Sequence, residues 1–104
     1  MQVHPESVPF HIVTTRVRLS RRAQKDLKAV PSYIAIKLGA WAADVGIRGL
    51  EEVRKVPGFH DEPLKGVRAG QRSIRLSRAY RAIYIIDDDG AEFVSVEAVN
   101  KHEY

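Results

Sequence analysis

The chain has 104 residues, 44% of them hydrophobic and 29% charged, with no cysteine and a formal charge of +4. That length supports one domain with a modest core, and the lack of cysteine excludes a disulfide framework, a thiolate metal site and a thiol nucleophile. No apolar run approaches the roughly 18 residues that span a bilayer, and the first residues lack the basic start and apolar core of a secretory signal, so the expectation is a cytoplasmic protein without a membrane partner.

The elements are expected in the following order, as a single domain over residues 1–104. Residues 1–10 are polar, contain Pro5 and Pro9, and read as a flexible extension. "HIVTTRVRLS" has the β-branched content of a strand, with Val13, Val17 and Leu19 on one alternating face. Ser20 is placed to cap a helix, "RRAQKDLKAV", in which Ala23, Leu27 and Val30 form one stripe. Pro31 suits the first turn of a second helix whose stripe is Ile34, Leu38, Trp41 and Val45, with Gly46 and Gly49 expected to interrupt it. Trp41 fits the core stripe. "LEEVRKV" suggests another helical turn or two, and "PGFHDEPLKG" reads as a loop. Beyond it, residues 71–77, 80–86 and 92–97 read as an antiparallel meander, since "AIYII" is β-branched and aromatic and "DDDG" is a strong turn signal. With the N-terminal strand this gives an α+β fold: two helices packed on a four-stranded, mainly antiparallel twisted sheet, followed by the short polar tail "NKHEY".

The unusual feature is the charge along residues 65–81, where Lys65, Arg68, Arg72, Arg75, Arg78 and Arg81 supply six cations and no acid intervenes. On a strand, Arg75 shares a face with Ser73 and Ser77, opposite Ile74 and Leu76. A bend near residues 78 and 79 then returns Arg81 beside Arg75 on the neighbouring strand. Two arginines projecting from a rigid sheet, with Arg72 and Arg78 at its ends, make a site for a phosphate, because the guanidinium fork matches phosphate oxygens and keeps its charge when partly dehydrated. The alternative is a set of solvated arginines that guard an edge strand against aggregation.

"HDEPLKG", then "GQRSIRLSRAYRAIY", then the terminal "VNKHEY" resemble the RelE/ParE superfamily of bacterial toxins, over roughly residues 12–104. The ribonuclease branch, with the RelE, YoeB and HigB toxins, is the most similar. The resemblance implies two helices on a twisted antiparallel sheet, and the toxin of a type II toxin–antitoxin system. That toxin would be an endoribonuclease, an mRNA interferase, cutting mRNA in the ribosomal A site against the 16S and 23S rRNA and held inactive by a cognate antitoxin. It implies Glu62 as general base, Arg75 and Arg81 as the strand arginines, and His102 and Tyr104 as the terminal pair. Glu103 separates that pair here, whereas the YoeB-like pattern has the two adjacent, so His102 is the stronger candidate. The RelE branch carries lysines where this chain has Glu62 and arginines, so its acid–base scheme does not transfer.

The chemistry is consistent with those residue types. If the 2′-OH attacks its own phosphate, RNA cleavage needs a base, an acid and cations around the phosphorane, but no metal or other cofactor. Glu62, His102 and the Arg75/Arg81 pair supply one of each. Lys65, Arg68, Arg72 and Arg78 are further candidate RNA contacts, and Tyr80, Tyr84 or Tyr104 is suited to stack on an unpaired base. His60, beside the loop, is either a bystander or a substrate contact. The other branch of the same superfamily, the ParE toxins, implies a different activity: inhibition of DNA gyrase by binding, without nuclease residues.

Overall fold

The computed structural model describes residues 16–88 and 92–101. The chain runs β1 (Arg16–Leu19), α1 (Arg21–Ala29), α2 (Ser32–Arg48), α3 (Leu50–Val53), β2 (Glu62–Pro63), β3 (Arg72–Arg75), β4 (Tyr80–Asp88) and β5 (Glu92–Lys101). Ser20 caps α1, its hydroxyl oxygen accepting from the Ala23 amide at 3.0 Å. Pro31 sits one residue ahead of α2, where its fixed φ starts the helix and its missing N–H costs nothing. The α2 stripe Ile34, Leu38, Trp41 and Val45 is buried. Contrary to the sequence expectation, Gly46 does not interrupt this helix. A helical glycine costs about 1 kcal/mol, whereas each buried aliphatic side chain of the stripe contributes roughly 1.5–3 kcal/mol, so packing wins. Gly49 does end it: at φ 86°, a region that side-chain-bearing residues rarely enter, its amide bonds the Val45 carbonyl at 2.8 Å.

The sheet has five strands in the order β1-β5-β4-β3-β2. The sequence suggests four, because β2 is only two residues long and lies inside the stretch read as a loop. β1 runs parallel to β5, and the other pairings are antiparallel. β5 is longer than expected, running through Lys101 into the supposed tail. The reason is a bulge: Ile83 pairs with Ala98 but Tyr84 with Val96, which leaves Glu97 unopposed. Val96 and Val99, three residues apart, therefore both reach the core. The core lies between the helices and one sheet face, where Ile74, Ala82, Tyr84, Val94, Val96 and Val99 meet the α2 stripe. The opposite face carries Ser73, Arg75, Arg81 and Ile83.

β1 stops at Leu19, opposite Val96, while β5 continues, so the outer edge of β5 needs other partners. The start of α1 supplies them. The Ser20 amide bonds the Val96 carbonyl at 2.8 Å, the Ser20 hydroxyl donates to the Glu97 carbonyl at 2.9 Å, and Asp26 Oδ2 accepts from the Val99 amide at 2.9 Å. A buried amide left without its acceptor is costly, more so when the acceptor is charged. Asp26→Ala is expected to lower unfolding free energy by about 1.5–3 kcal/mol and Asp26→Asn by less, read as a shift in urea midpoint at unchanged slope.

Candidate active site

The site is built on two adjacent acids that point in opposite directions. Pro57–Phe59 forms a short 3₁₀ turn whose Phe59 packs on the core, with Lys37 Nζ over its ring at 5.4 Å from the centroid. His60 follows at φ 46°, in the left-handed region, an uncommon conformation for a residue with a side chain. The chain then enters β2. Asp61 turns toward the helix layer and is only 1% exposed, accepting from Arg72 Nε at 2.7 Å and from the Tyr84 hydroxyl at 2.6 Å. Tyr84 is itself fully buried, its ring 5.3 Å from that of Trp41 at an interplanar angle of 47°. Burial, and then donation to the Asp61 carboxylate, push the Tyr84 hydroxyl far above the ordinary tyrosine range. At Arg72 burial acts to lower the pKa, but the bond and charge of Asp61 outweigh it and leave it raised.

Glu62, one residue on, faces the other side of the sheet. It pairs with Ser73, which pairs with Ile83, which pairs with Ala98, so these four form one rung across β2 to β5. Arg75, Arg81 and Asn100 form a second rung on the same face. Arg81 lies directly opposite Arg75, an arrangement that repels unless anions or acceptors intervene. They do. Arg81 Nε donates to the Ser73 hydroxyl, and its Nη2 reaches Glu62 Oε1 at 3.3 Å and the His60 carbonyl at 3.5 Å. The other Glu62 oxygen is 3.4 Å from His60 Nε2. The Arg81 side chain is thereby 13% exposed, with Glu62 at 49%. The result is a cleft of about 270 Å³, lined by Glu62, Leu64, Arg68, Ser73, Arg81 and Ile83 and closed by Asn100 and Lys101 from β5. Its chemistry is a carboxylate and a held guanidinium side by side over an apolar floor, suited to a phosphate next to a proton to be removed.

The sequence-derived candidates divide on this geometry. Glu62, Arg81 and Arg68 are brought together in the cleft. Arg75 is exposed on the same face, opposite Arg81. Lys65 lies exposed at the start of the 66–68 turn, and Arg78 is exposed in the bend between β3 and β4. Arg72, expected with Arg78 at the ends of the sheet that carries Arg75 and Arg81, is on the opposite face, its Nε donating to Asp61. Tyr84 is wholly buried, so its ring presents no face for stacking on a base, whereas Tyr80 is half-buried against the core. His102 and Tyr104 lie outside the described residues; Lys101, the last described, pairs with Tyr80 and lines the cleft. Sequence reasoning missed Asp61, Ser73 and Asn100. Ser73 was recognisable as a face-mate of Arg75, and Asn100 was hidden in the supposed tail. Among the described residues no group of three or more His, Asp or Glu side chains is arranged to hold a metal, and no described helix is long and apolar enough to cross a membrane.

Comparison with known proteins adds to this. The sequence model of the family described as "ParE toxin of type II toxin-antitoxin system, parDE" matches residues 17–103. No curated protein sequence matches the chain. Among solved structures, a chain of the toxin–antitoxin complex RelBE2 from Mycobacterium tuberculosis superposes with a TM-score of 0.64 at 26% identity, covering 86% of this chain and 100% of that one. YafQ from Escherichia coli strain BL21(DE3) gives 0.67 at 18% identity, with 85% and 93% covered. The YoeB dimer from Staphylococcus aureus gives 0.59 at 17%, with 88% and 99% covered. The last two comparisons speak to the fold alone.

The Tyr84–Asp61 bond has a consequence at high pH. A hydroxyl whose folded pKa is raised contributes stability that is complete below the unfolded value, near 10.0, and lost as pH climbs above it. Urea titrations at rising pH should show wild type losing up to about 1.4 kcal/mol per pH unit from this group above pH ~10. Tyr84→Phe should be about 1–3 kcal/mol less stable at neutral pH and should lack that part of the alkaline loss.

Proposed function

We propose that this chain, which belongs to the ParE toxin family within the RelE/ParE superfamily, is the toxin of a type II system, and that it acts in the cytoplasm by cutting mRNA on the ribosome, a reading supported by its site rather than by the family match. The observation that carries the reading is the contact between Glu62 and Arg81 inside a basic cleft. In the proposed reaction the 2′-OH of one nucleotide attacks the adjacent phosphorus. Glu62 takes the 2′ proton, and Arg81, assisted by Arg75, stabilises the charge that grows on the phosphorane oxygens. His102 donates a proton to the departing 5′-oxygen, with Tyr104 as the other candidate acid. The P–O5′ bond breaks, leaving a 2′,3′-cyclic phosphate and a 5′-OH, and no metal takes part. Lys65, Arg68 and Lys101 contribute phosphate contacts to mRNA and the surrounding rRNA. Arg72 is assigned to holding Asp61.

In this scheme Arg81 is held before substrate arrives. Ser73 fixes Nε and Glu62 shares Nη2, so little reorganisation is needed when a phosphate competes for the fork. The RelBE2 relative is a toxin–antitoxin complex, which supports a cognate antitoxin here too, and a basic concave site suits an acidic segment that folds on binding. The matched family also keeps a second reading in view, a ParE-like inhibitor that binds DNA gyrase without cleavage. A pure binder has no use for a carboxylate set against the arginine in the cleft.

Expressed without its partner, the chain is expected to arrest bacterial growth by stopping translation, with messages cut inside coding regions. Arrest with intact mRNA and blocked supercoiling would replace this reading with the gyrase one. Within the site, Arg81→Ala should lose about 10²–10³ in cleavage rate, while ribosome binding, spread over Lys65, Arg68 and Lys101, falls little. Glu62→Gln should lose roughly 10²–10⁴ and flatten the acid limb of the pH–rate profile, measured on programmed ribosomes.

A further inference from the structure

An arginine or lysine that grips a phosphate in the cleft gains no information about the base from that contact. Of the remaining polar lining groups, Glu62 is engaged by Arg81 and His60, and the Ser73 hydroxyl by Arg81. Asn100 is different. Its side-chain carboxamide has no hydrogen bond among the described residues, the residue is half-buried, and it lines the same cleft. It also pairs with Arg81 across β4 and β5, so its Cα stands about 4.5–5.5 Å from that of Arg81. Ile83, almost buried, occupies the neighbouring rung of the same face, and the half-buried Leu64 also lines the cleft.

We propose that Asn100 reads the base of the nucleotide attached to the phosphate gripped by Arg81, and so sets the sequence preference of cleavage; this rests on the ribonuclease reading above. A carboxamide presents a donor and an acceptor side by side, the pattern that matches the edge of a base, and single-stranded RNA exposes its Watson–Crick and Hoogsteen edges. Leu64, half-buried in the cleft lining, supplies an apolar surface for the base, a role that the buried Tyr84 cannot take. The cleft volume of about 270 Å³ is below the roughly 300–1,000 Å³ that houses a whole drug-sized ligand, a size for one base rather than several. Strand pairing holds the reading group at a fixed offset from the phosphate group, so the base that is read is always the same distance along the chain from the cut.

The test is to map RNA ends in cells expressing wild type, Asn100→Ala or Asn100→Asp. Wild type should show enrichment of particular bases at one position beside the cut. Asn100→Ala should cut less overall and lose that enrichment by roughly five- to a hundredfold, the discrimination typical of one bidentate contact. Asn100→Asp, which can only accept, should move the preference toward a base presenting two donors, such as guanine. Enrichment unchanged in both variants overturns the proposal, and so does a folded Asn100→Ala chain whose cleavage falls equally at every site. If wild type itself leaves messages intact, the ribonuclease reading fails and takes this inference with it, an outcome distinct from the other two.

Discussion

The arrangement of the candidate site depends on a carboxylate buried beneath it. Asp61 is almost wholly buried, and its two oxygens are taken by Arg72 and by Tyr84. An ionised carboxylate taken out of water costs several kcal/mol unless its partners replace the lost hydration. Here they do, and both partners are fixed: Arg72 belongs to β3, and Tyr84 is wedged against Trp41 in the core. A strand of two residues has little stability of its own. Asp61 anchors it at one end, while the backbone bond from the Leu64 amide to the Gln71 carbonyl, 2.9 Å, closes it at the other. Strand alternation then does the rest. With Asp61 turned inward, Glu62 must face outward, and the strand register sets it opposite Ser73, one rung from Arg81.

This also explains the arginine run. A spacing of three on strands whose side chains alternate every two residues sends successive arginines to different places. Arg72 goes inward to Asp61, Arg75 outward, Arg78 into the bend, and Arg81 outward again on the next strand. One sequence pattern therefore serves two purposes: Arg72 fixes the carboxylate that orients Glu62, and Arg81 meets the Glu62 so oriented. Neither of the two sequence-level readings, a phosphate site made by all the arginines or a solvated edge, describes such a division. β2 covers the edge of β3 at Arg72 and Ser73.

How much of this was legible in the sequence follows from which interactions are local. The helices were legible because their stripes are set by one period; Ile34, Leu38, Trp41 and Val45 are buried together as the spacing requires. The opposition of Arg75 and Arg81 was legible because a short bend fixes hairpin register, and Ser77 holds that bend by accepting from the Ala79 and Tyr80 amides at 3.1 and 3.2 Å. The extent of β5 was not, because the bulge at Glu97 shifts the alternation by one and makes "VEAVN" look irregular. Nor was β2, whose existence depends on a buried ion pair between residues eleven apart in sequence. The burial of Tyr84 was half-legible: alternation puts it on one face with Ala82, but which face meets the helices is decided by packing that no local pattern encodes.

The sheet thus separates two demands that compete in many active sites. One face carries Ile74, Ala82, Tyr84, Val96 and Val99 into the core. The other carries groups that do not favour folding: two arginines opposed across a strand pair, a half-exposed carboxylate and a side-chain carboxamide with no hydrogen bond among the described residues. Exposed ion pairs contribute little to stability, so the Glu62–Arg81 contact is weak grounds for thinking this face is built to hold the fold together. What it does hold is geometry. Ser73, almost fully buried, is the one polar residue of β3 that touches this problem, and it spends its hydroxyl on orienting Arg81. A buried serine that immobilises a guanidinium beside a carboxylate has little to offer a surface that only needs positive charge. It has a clear use where one phosphate must be met by the same nitrogen atoms at every turnover, and that is why the cleavage reading is preferred to binding alone.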